Sequence, residues 1–448
     1  MMMVIGGGPA GRIAAMELAQ GQREGEDVIL IEKRAAGLGG QCLHAGCMVV
    51  CALNDVARHL VQSKMFYEDG IVTTPVTFSY PHVLDGLRAV QTKLASIMYT
   101  ETGDAGVTLV FGDATVSGKV VTVNGEVYTP DSLLIATGST PHIPSLPGTE
   151  LHGIYTVHTV LSNQQLPSNL VIVGGGVISV EFAYIFAQFG VNVTVVVRSS
   201  LLRGYPAHVV SGVQADLANV LIIEKADIHA CVETEPGSGI VGSVTIQVDG
   251  KEQSIPADMV LFAAGSRPNT TMIKGIKCNA AGEILINERM ETSVPGVYAA
   301  GDVCGPPFLA PYARYQGRAA ASAMLGNQIP PRPKVAPQAI KLHYDHGWCG
   351  WPQSDEPDVL QAGMPSLVGS GSFWKIRHTS AGKSVLVSQK DGTIVSMYES
   401  SPVGSLAAAY MGYLIENGVT VQELASMLEV HPSPDGMHLL AKYFASQI

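Results

Sequence analysis

Cysteine is scarce in this chain. Seven occur among 448 residues, at positions 42, 47, 51, 231, 278, 304 and 349. That is too few for a secreted scaffold held together by disulfides, and the number is odd, so a reducing, cytoplasmic compartment is expected. Charge is sparse too, at 15% of residues against 46% hydrophobic ones. This excludes the polar bias of a disordered chain and leaves apolar material for several cores. Positive charge is the scarcer sign, with 27 basic against 38 acidic residues and a net charge of −11. Such a surface opposes non-specific attraction to nucleic acid or anionic lipid, so no nucleic-acid partner is expected. Long hydrophobic runs are lacking as well. The most apolar stretch, Leu170 to Val197, is broken by three consecutive glycines, Glu181, Gln188 and Asn192, so it reads as strand, turn, helix and strand, and no membrane insertion is expected. Before the first glycines there is neither a basic region nor a cleavage site, so no signal peptide is expected.

What the chain does have is length for about three domains and 49 glycines, well above the usual share of roughly 7%. Val4-Ile5-Gly6-Gly7-Gly8-Pro9-Ala10-Gly11 is echoed 168 residues later by Ile172-Val173-Gly174-Gly175-Gly176-Val177-Ile178-Ser179. Each copy follows an apolar run and precedes a helical stretch (Arg12 to Gln20; Val180 to Phe189) and a β-rich run (Val28 to Glu32; Val193 to Val197), which predicts two βαβ units. Further helices are expected at Ala52 to Met65 and His82 to Tyr99, with short strands over Val107 to Val123. Buried strands are expected at Leu133 to Gly138, Asp258 to Ala264 and Val297 to Ala300. Pro141 to Pro147 reads as a crossing between domains and Ile329 to Pro333 as a linker. Antiparallel strands then follow at Phe373 to His378, Ser384 to Gln389 and Ile394 to Glu399, with Asp391-Gly392 as a hairpin turn. A helix over Ser405 to Glu416 comes next, and Thr420 and Glu423 form a capping box for another.

In the first unit Gly6 suits a tight turn, Gly8 a close approach to a pyrophosphate and Gly11 helix packing. Glu32, 21 residues after Gly11, ends the second strand where a carboxylate binds ribose hydroxyls. In the second unit Gly174 and Gly176 are followed by Ser179 at the third position. No acid ends its second strand. Val197 stands there, followed by Arg198 and Arg203, which suit a 2′-phosphate, so NADP(H) is favoured over NAD(H), with NADH open and a solvated basic turn as the alternative.

Gly39-Gly40-Gln41-Cys42-Leu43-His44-Ala45-Gly46-Cys47 comes soon after Glu32. Residues five apart on a regular helix are separated by about 7.5 Å along the axis, too far for a disulfide, so Cys42 is placed in a turn before the helix that carries Cys47. A thiolate at a helix start has a lowered pKa.

With these residues, Ile135-Ala136-Thr137-Gly138 and Tyr298-Ala299-Ala300-Gly301-Asp302, the chain resembles the pyridine nucleotide-disulfide oxidoreductase family, which includes dihydrolipoamide dehydrogenase and glutathione reductase. The resemblance implies an α/β fold with two Rossmann-like dinucleotide-binding domains and a C-terminal α+β dimerisation domain. The implied boundaries are 1–147 and 269–331 for an FAD-binding domain in two parts, 148–268 for the NAD(P) domain and 332–448 for the interface. It implies FAD at the first site, contacted around Gly40, Thr137, Gly138, Gly301 and Asp302, with Asp302 holding the ribityl chain. Cys42 becomes the interchange thiol and Cys47 the flavin-facing thiol. His431, in Val430-His431-Pro432, becomes the acid–base residue of a homodimer that acts on a small disulfide or dithiol.

Departures from the family pattern are plain. Cys51 stands where the family has a lysine that pairs with the glutamate here matched by Glu181. It either extends the thiol relay or is an inert buried cysteine. Gly436 falls where a glutamate orients the histidine, leaving Asp435 as the nearest acid, while Pro311 and Gln316 replace a histidine and a glutamate. The alternatives are a flavin reductase of quinones, metal ions or oxygen, and a flavin-bound redox sensor. No resident metal is expected. His343, His346, Cys349 and two tryptophans between Lys341 and Trp351 either line a pocket or fill a core.

Overall fold

The computed structural model describes all residues except 22–25, 351–358, 367–372, 379–381, 429–435 and 448. Strand β1 (Met2–Ile5) is apolar and buried at every position, as a central parallel strand must be. Helix α1 (Pro9–Gly21) leads from it to strand β2 (Val28–Glu32). The first sheet runs Val297–Ala299, Ser132–Ile135, β1, β2 and β3 (Val107–Phe111), all parallel. The second runs Leu221–Glu224, Asn192–Val197, Asn169–Val173, Met259–Phe262 and Ile154–Thr156, again parallel. Both glycine turns therefore leave the carboxyl end of the middle strand of a five-stranded sheet, where open α/β sheets bind ligands. The repeat read from the sequence is real in space.

The C-terminal part is a five-stranded antiparallel sheet in the order Gln338–Lys341, Asp345–Cys349, Ile394–Ser401, Lys383–Gln389, Val359–Pro365. The Asp391-Gly392 turn joins two of these strands, with Gly392 at φ +88°. The capping box forms as expected: Glu423 N–H donates to the Thr420 hydroxyl at 3.2 Å, and Thr420 N–H to the Glu423 carboxylate at 2.8 Å. The strand expected over Phe373 to His378 does not form. That segment holds a short 3₁₀ turn, Lys375–Arg377, and the edge position belongs to Val359–Pro365. Side-chain partners decide it: Trp374 packs edge-on against Phe66, and Arg377 and His378 both pair with Asp69, so the segment is drawn onto another helix end.

That helix is α3 (Cys47–Glu68), which carries Cys47 as expected and runs on without a break through the stretch expected at Ala52 to Met65; α4 (Tyr80–Asp104) is longer than its apolar pattern indicated. One apolar core joins Val49, Val50 and Leu53 of α3 to Phe182 of the helix Val177–Gln188 and to Ile340 and Trp348 of the C-terminal sheet. Helix α3 is thus packed against both neighbouring parts of the molecule. Among the described residues no helix is long and apolar enough to cross a membrane.

Candidate functional site

A cleft of about 1370 Å³ runs past both glycine turns, the cysteine pair and the edge strand Gln338–Lys341 of the C-terminal sheet. At the first turn Gly6 has φ +104°, and a Cβ there would lie 2.3 Å from the Ala136 carbonyl oxygen; at Gly11 it would lie 1.9 Å from the oxygen of Gly6. Only glycine permits this crossing of turn and helix. Gly8 and Gly40 pack backbone to backbone, a Cβ at Gly40 falling 2.8 Å from the Gly8 Cα. Glu32 accepts the Gly7 N–H at 2.7 Å and the Lys33 N–H at 2.8 Å, which fixes its carboxylate at the cleft wall.

The second turn repeats the device. Gly174 has φ +135°, and a Cβ would meet the Ala263 oxygen at 2.3 Å. Gly176 borders the cleft, whereas Ser179 is fully buried beneath the turn with its hydroxyl unpartnered among the described residues. Ser179 is therefore a packing residue in the place of the third glycine and does not face the cleft. Arg198 and Arg203 are exposed and line the cleft beyond Val197.

Cys42 sits on a short helix, α2 (Gly40–His44), and not in the turn expected for it. The five-residue spacing is accommodated by a break at Ala45 and Gly46, with Gly46 capping α3 and Cys47 as its first residue. Both are free thiols, and each is the strongest influence on the other's acidity. The neighbouring Cys47 thiol and the Arg314 guanidinium lower the Cys42 thiol to about 7 against the opposition of burial. The Cys42 thiol, together with burial, pushes Cys47 up, which overrides the lowering expected at a helix start.

Toward the far end of the first site, the Ser139 hydroxyl donates to Asp302 at 2.9 Å, and burial raises the Asp302 carboxyl. Thr137 and Asn269 exchange hydrogen bonds of 2.8 and 2.9 Å, which holds the turn at Gly138 (φ +68°). Glu181 is buried on the helix Val177–Gln188. Burial pushes its carboxyl up to about 8, partly offset by the Lys341 backbone N–H that it accepts at 3.1 Å. Of the residues implied by the resemblance, His431 and Asp435 lie outside the described residues; the others except Ser179 and Gly11 border the cleft.

Residues 1–317 match the family model described as pyridine nucleotide-disulphide oxidoreductase. The chain belongs to that family. It is 30% identical to a dihydrolipoyl dehydrogenase of Geobacillus stearothermophilus over 96% of this chain and 93% of that protein. It is 32% identical to one of Acholeplasma laidlawii over 72% of this chain and 96% of that one. Among solved structures, LpdA of Mycobacterium tuberculosis superposes with a TM-score of 0.85 at 23% identity, covering 99% of both chains. The HOCl-induced flavoprotein disulfide reductase RclA of Escherichia coli gives 0.84 at 21% identity, again over 99% of both. The protein is accordingly an NAD(P)-dependent oxidoreductase with the flavoprotein disulfide reductase fold.

This member of the pyridine nucleotide-disulphide oxidoreductases also uses residues that the sequence did not disclose. Gln91 of α4 donates to the carbonyls of Leu43 and His44 at 3.0 and 3.2 Å, fastening α2 from the side. Gln316, flagged only as a replacement for an acid, accepts the Gly301 N–H at 2.9 Å through its side-chain oxygen, so the amide keeps the acceptor and discards the charge. Neither contact leaves a local signal, since the partners are 47 or more and 15 residues away.

Proposed function

We propose that the chain is an FAD-dependent NAD(P)H:disulfide oxidoreductase acting on a small disulfide or dithiol. The observation that carries this reading is the pair of thiols Cys42 and Cys47, which line a cleft that also reaches both glycine turns. The cleft suits FAD at its first end. The Gly6 and Gly8 backbone leaves room for a pyrophosphate at the start of α1, Glu32 keeps free lone pairs for ribose hydroxyls, and Asp302 stands ready for the ribityl chain. The buried Gln41 side-chain oxygen, at the cleft wall, has no partner among the described residues.

Bound FAD supplies the two-electron carrier between nicotinamide and the cysteine pair. The protein's own work is thiol exchange. The Cys42 thiolate attacks a substrate disulfide, forming a mixed disulfide as one substrate sulfur leaves and takes a proton from His431. Cys47 then attacks Cys42, closing the Cys42–Cys47 disulfide and releasing the second substrate thiol, and the pair is returned to two thiols by two electrons and two protons. Asp435 is the acid placed to orient His431. The reading divides the chain at 1–147, 148–268, 269–331 and 332–448, and makes it a cytoplasmic homodimer whose last part forms the interface.

Anaerobic assays with lipoamide, glutathione disulfide, coenzyme A disulfide and quinones, each with both nucleotides, test the proposal. Turnover of at least one disulfide is expected; turnover of quinones with every disulfide inert overturns it. For the donor, Arg198 and Arg203 flank the second turn, and each charged hydrogen bond to a 2′-phosphate contributes about 1.5–3 kcal/mol. Arg198→Ala is therefore expected to lower kcat/KM for NADPH about tenfold or more, with NADH little changed. Equal losses with both nucleotides would remove the 2′-phosphate role.

A further inference from the structure

Cys51 leaves the reaction cleft without the lysine that the family places on this helix, yet the cleft is not without a cation there. Cys51, Glu181 and Lys341 line the same stretch of wall. Lys341 ends the strand Gln338–Lys341, the edge strand of the C-terminal sheet, 160 residues from Glu181 in sequence. Its backbone N–H is donated to the Glu181 carboxylate, and its ammonium lies 3.0 Å from Asp345. Asp345 is in turn held by Arg58 of α3 at 2.7 Å and by the Ser405 hydroxyl.

Arg58 and Lys341 share Asp345, and burial pushes the Glu181 carboxyl up. Asp55 acts on Cys51 in the same sense as Glu181, and Lys341 is the cation set against them, acting on both Cys51 and Glu181. Resting on the reading that FAD binds the first site, we propose that Lys341 takes over from the absent helix lysine, the C-terminal sheet lending the positive charge that stabilises reduced flavin beside Cys47. The replacement comes from another element, and so brings its own anchor in Asp345.

Lys341 is here a positioning residue, tested first by the flavin potential of the holoenzyme in equilibrium with a reference dye. Lys341→Met is expected to lower the ratio of reduced to oxidised flavin at fixed poise about tenfold, close to 30 mV for a two-electron couple. Lys341→Arg should stay within about threefold of the unmodified protein, and Lys341→Met combined with Cys51→Lys should recover the ratio by returning the cation to the helix. A Lys341→Met holoenzyme with full flavin content and an unchanged ratio overturns the proposal, as does a Lys341→Arg protein as impaired as Lys341→Met.

A second measurement needs no flavin. In a Cys42→Ser/Cys47→Ser background, iodoacetamide labelling of Cys51, read by mass spectrometry, should slow at least about threefold on Lys341→Met and not on Lys341→Arg, because the cation favours the thiolate. Equal rates in all three proteins refute the placement of the charge. Failure of the unmodified protein to bind FAD would instead count against the functional reading while leaving the labelling comparison to decide this one.

Discussion

Cys42→Ser is expected to abolish disulfide turnover, with kcat falling on the order of 10⁴-fold or more, while NAD(P)H still reduces bound flavin. The residual hydroxyl has no thiolate character and cannot form the mixed disulfide. Cys47→Ser should be as damaging, because the mixed disulfide on Cys42 then has no second sulfur to resolve it. The two variants differ in spectrum. The largest influence raising Cys47 is the neighbouring Cys42 thiol, so removing that thiol frees Cys47 to ionise at the start of α3. Cys42→Ser holoenzyme should show long-wavelength absorbance from a thiolate beside oxidised flavin without added reductant, and Cys47→Ser should lack it. In the reduced wild-type protein, iodoacetamide labelling of Cys42 should rise with pH through about 7, since the thiolate is the form present above its pKa. Half-maximal labelling at the ordinary thiol value would show that Cys47 and Arg314 do not stabilise the anion.

His431→Ala is the second large effect, expected to cost about 10²–10⁴-fold in disulfide turnover while sparing flavin reduction. On the proposed reading this histidine, in the final part of the chain, serves the partner's cysteine pair, so that each site of a homodimer would be completed by the other subunit. Complementation isolates that point. Mixing Cys42→Ser with His431→Ala subunits leaves one site per heterodimer with both an intact thiol and an intact base. Recovery of up to half the activity per heterodimer is the expected result; an inactive mixture with subunit exchange proven by mass would refute a shared site. Asp435→Ala should give a smaller loss, accompanied by a shifted pH profile, if that acid orients the imidazole.

The glycine turns were legible in the sequence because their constraint is local. A backbone that crosses within 2.3 Å of where a Cβ would stand admits only glycine, and the same spacing recurs in both copies. The Thr420 and Glu423 cap was legible for the same reason, its partners being three residues apart. Cys42 on a helix was not, because the break at Ala45 and Gly46 that turns α2 into α3 depends on Gln91 gripping the two preceding carbonyls from α4. Phe373 to His378 alternates like a strand, yet its fate rests on Phe66 and Asp69, some 300 residues earlier. Lys341 carries no local mark at all: its meaning comes from Glu181 and Asp345, which the fold alone brings to it.

The grip of Gln91 on α2 bears on how substrate must approach. With the carbonyls of Leu43 and His44 tied to α4 and Cys47 rooted in a helix that is wedged between two other parts of the molecule, the sulfurs have no swinging arm. The attack geometry is stored in the fold before any substrate arrives, so the entropy of alignment is charged to the substrate at the moment of encounter. A slender disulfide able to thread the cleft meets that demand, whereas a disulfide embedded flush in a folded protein surface does not.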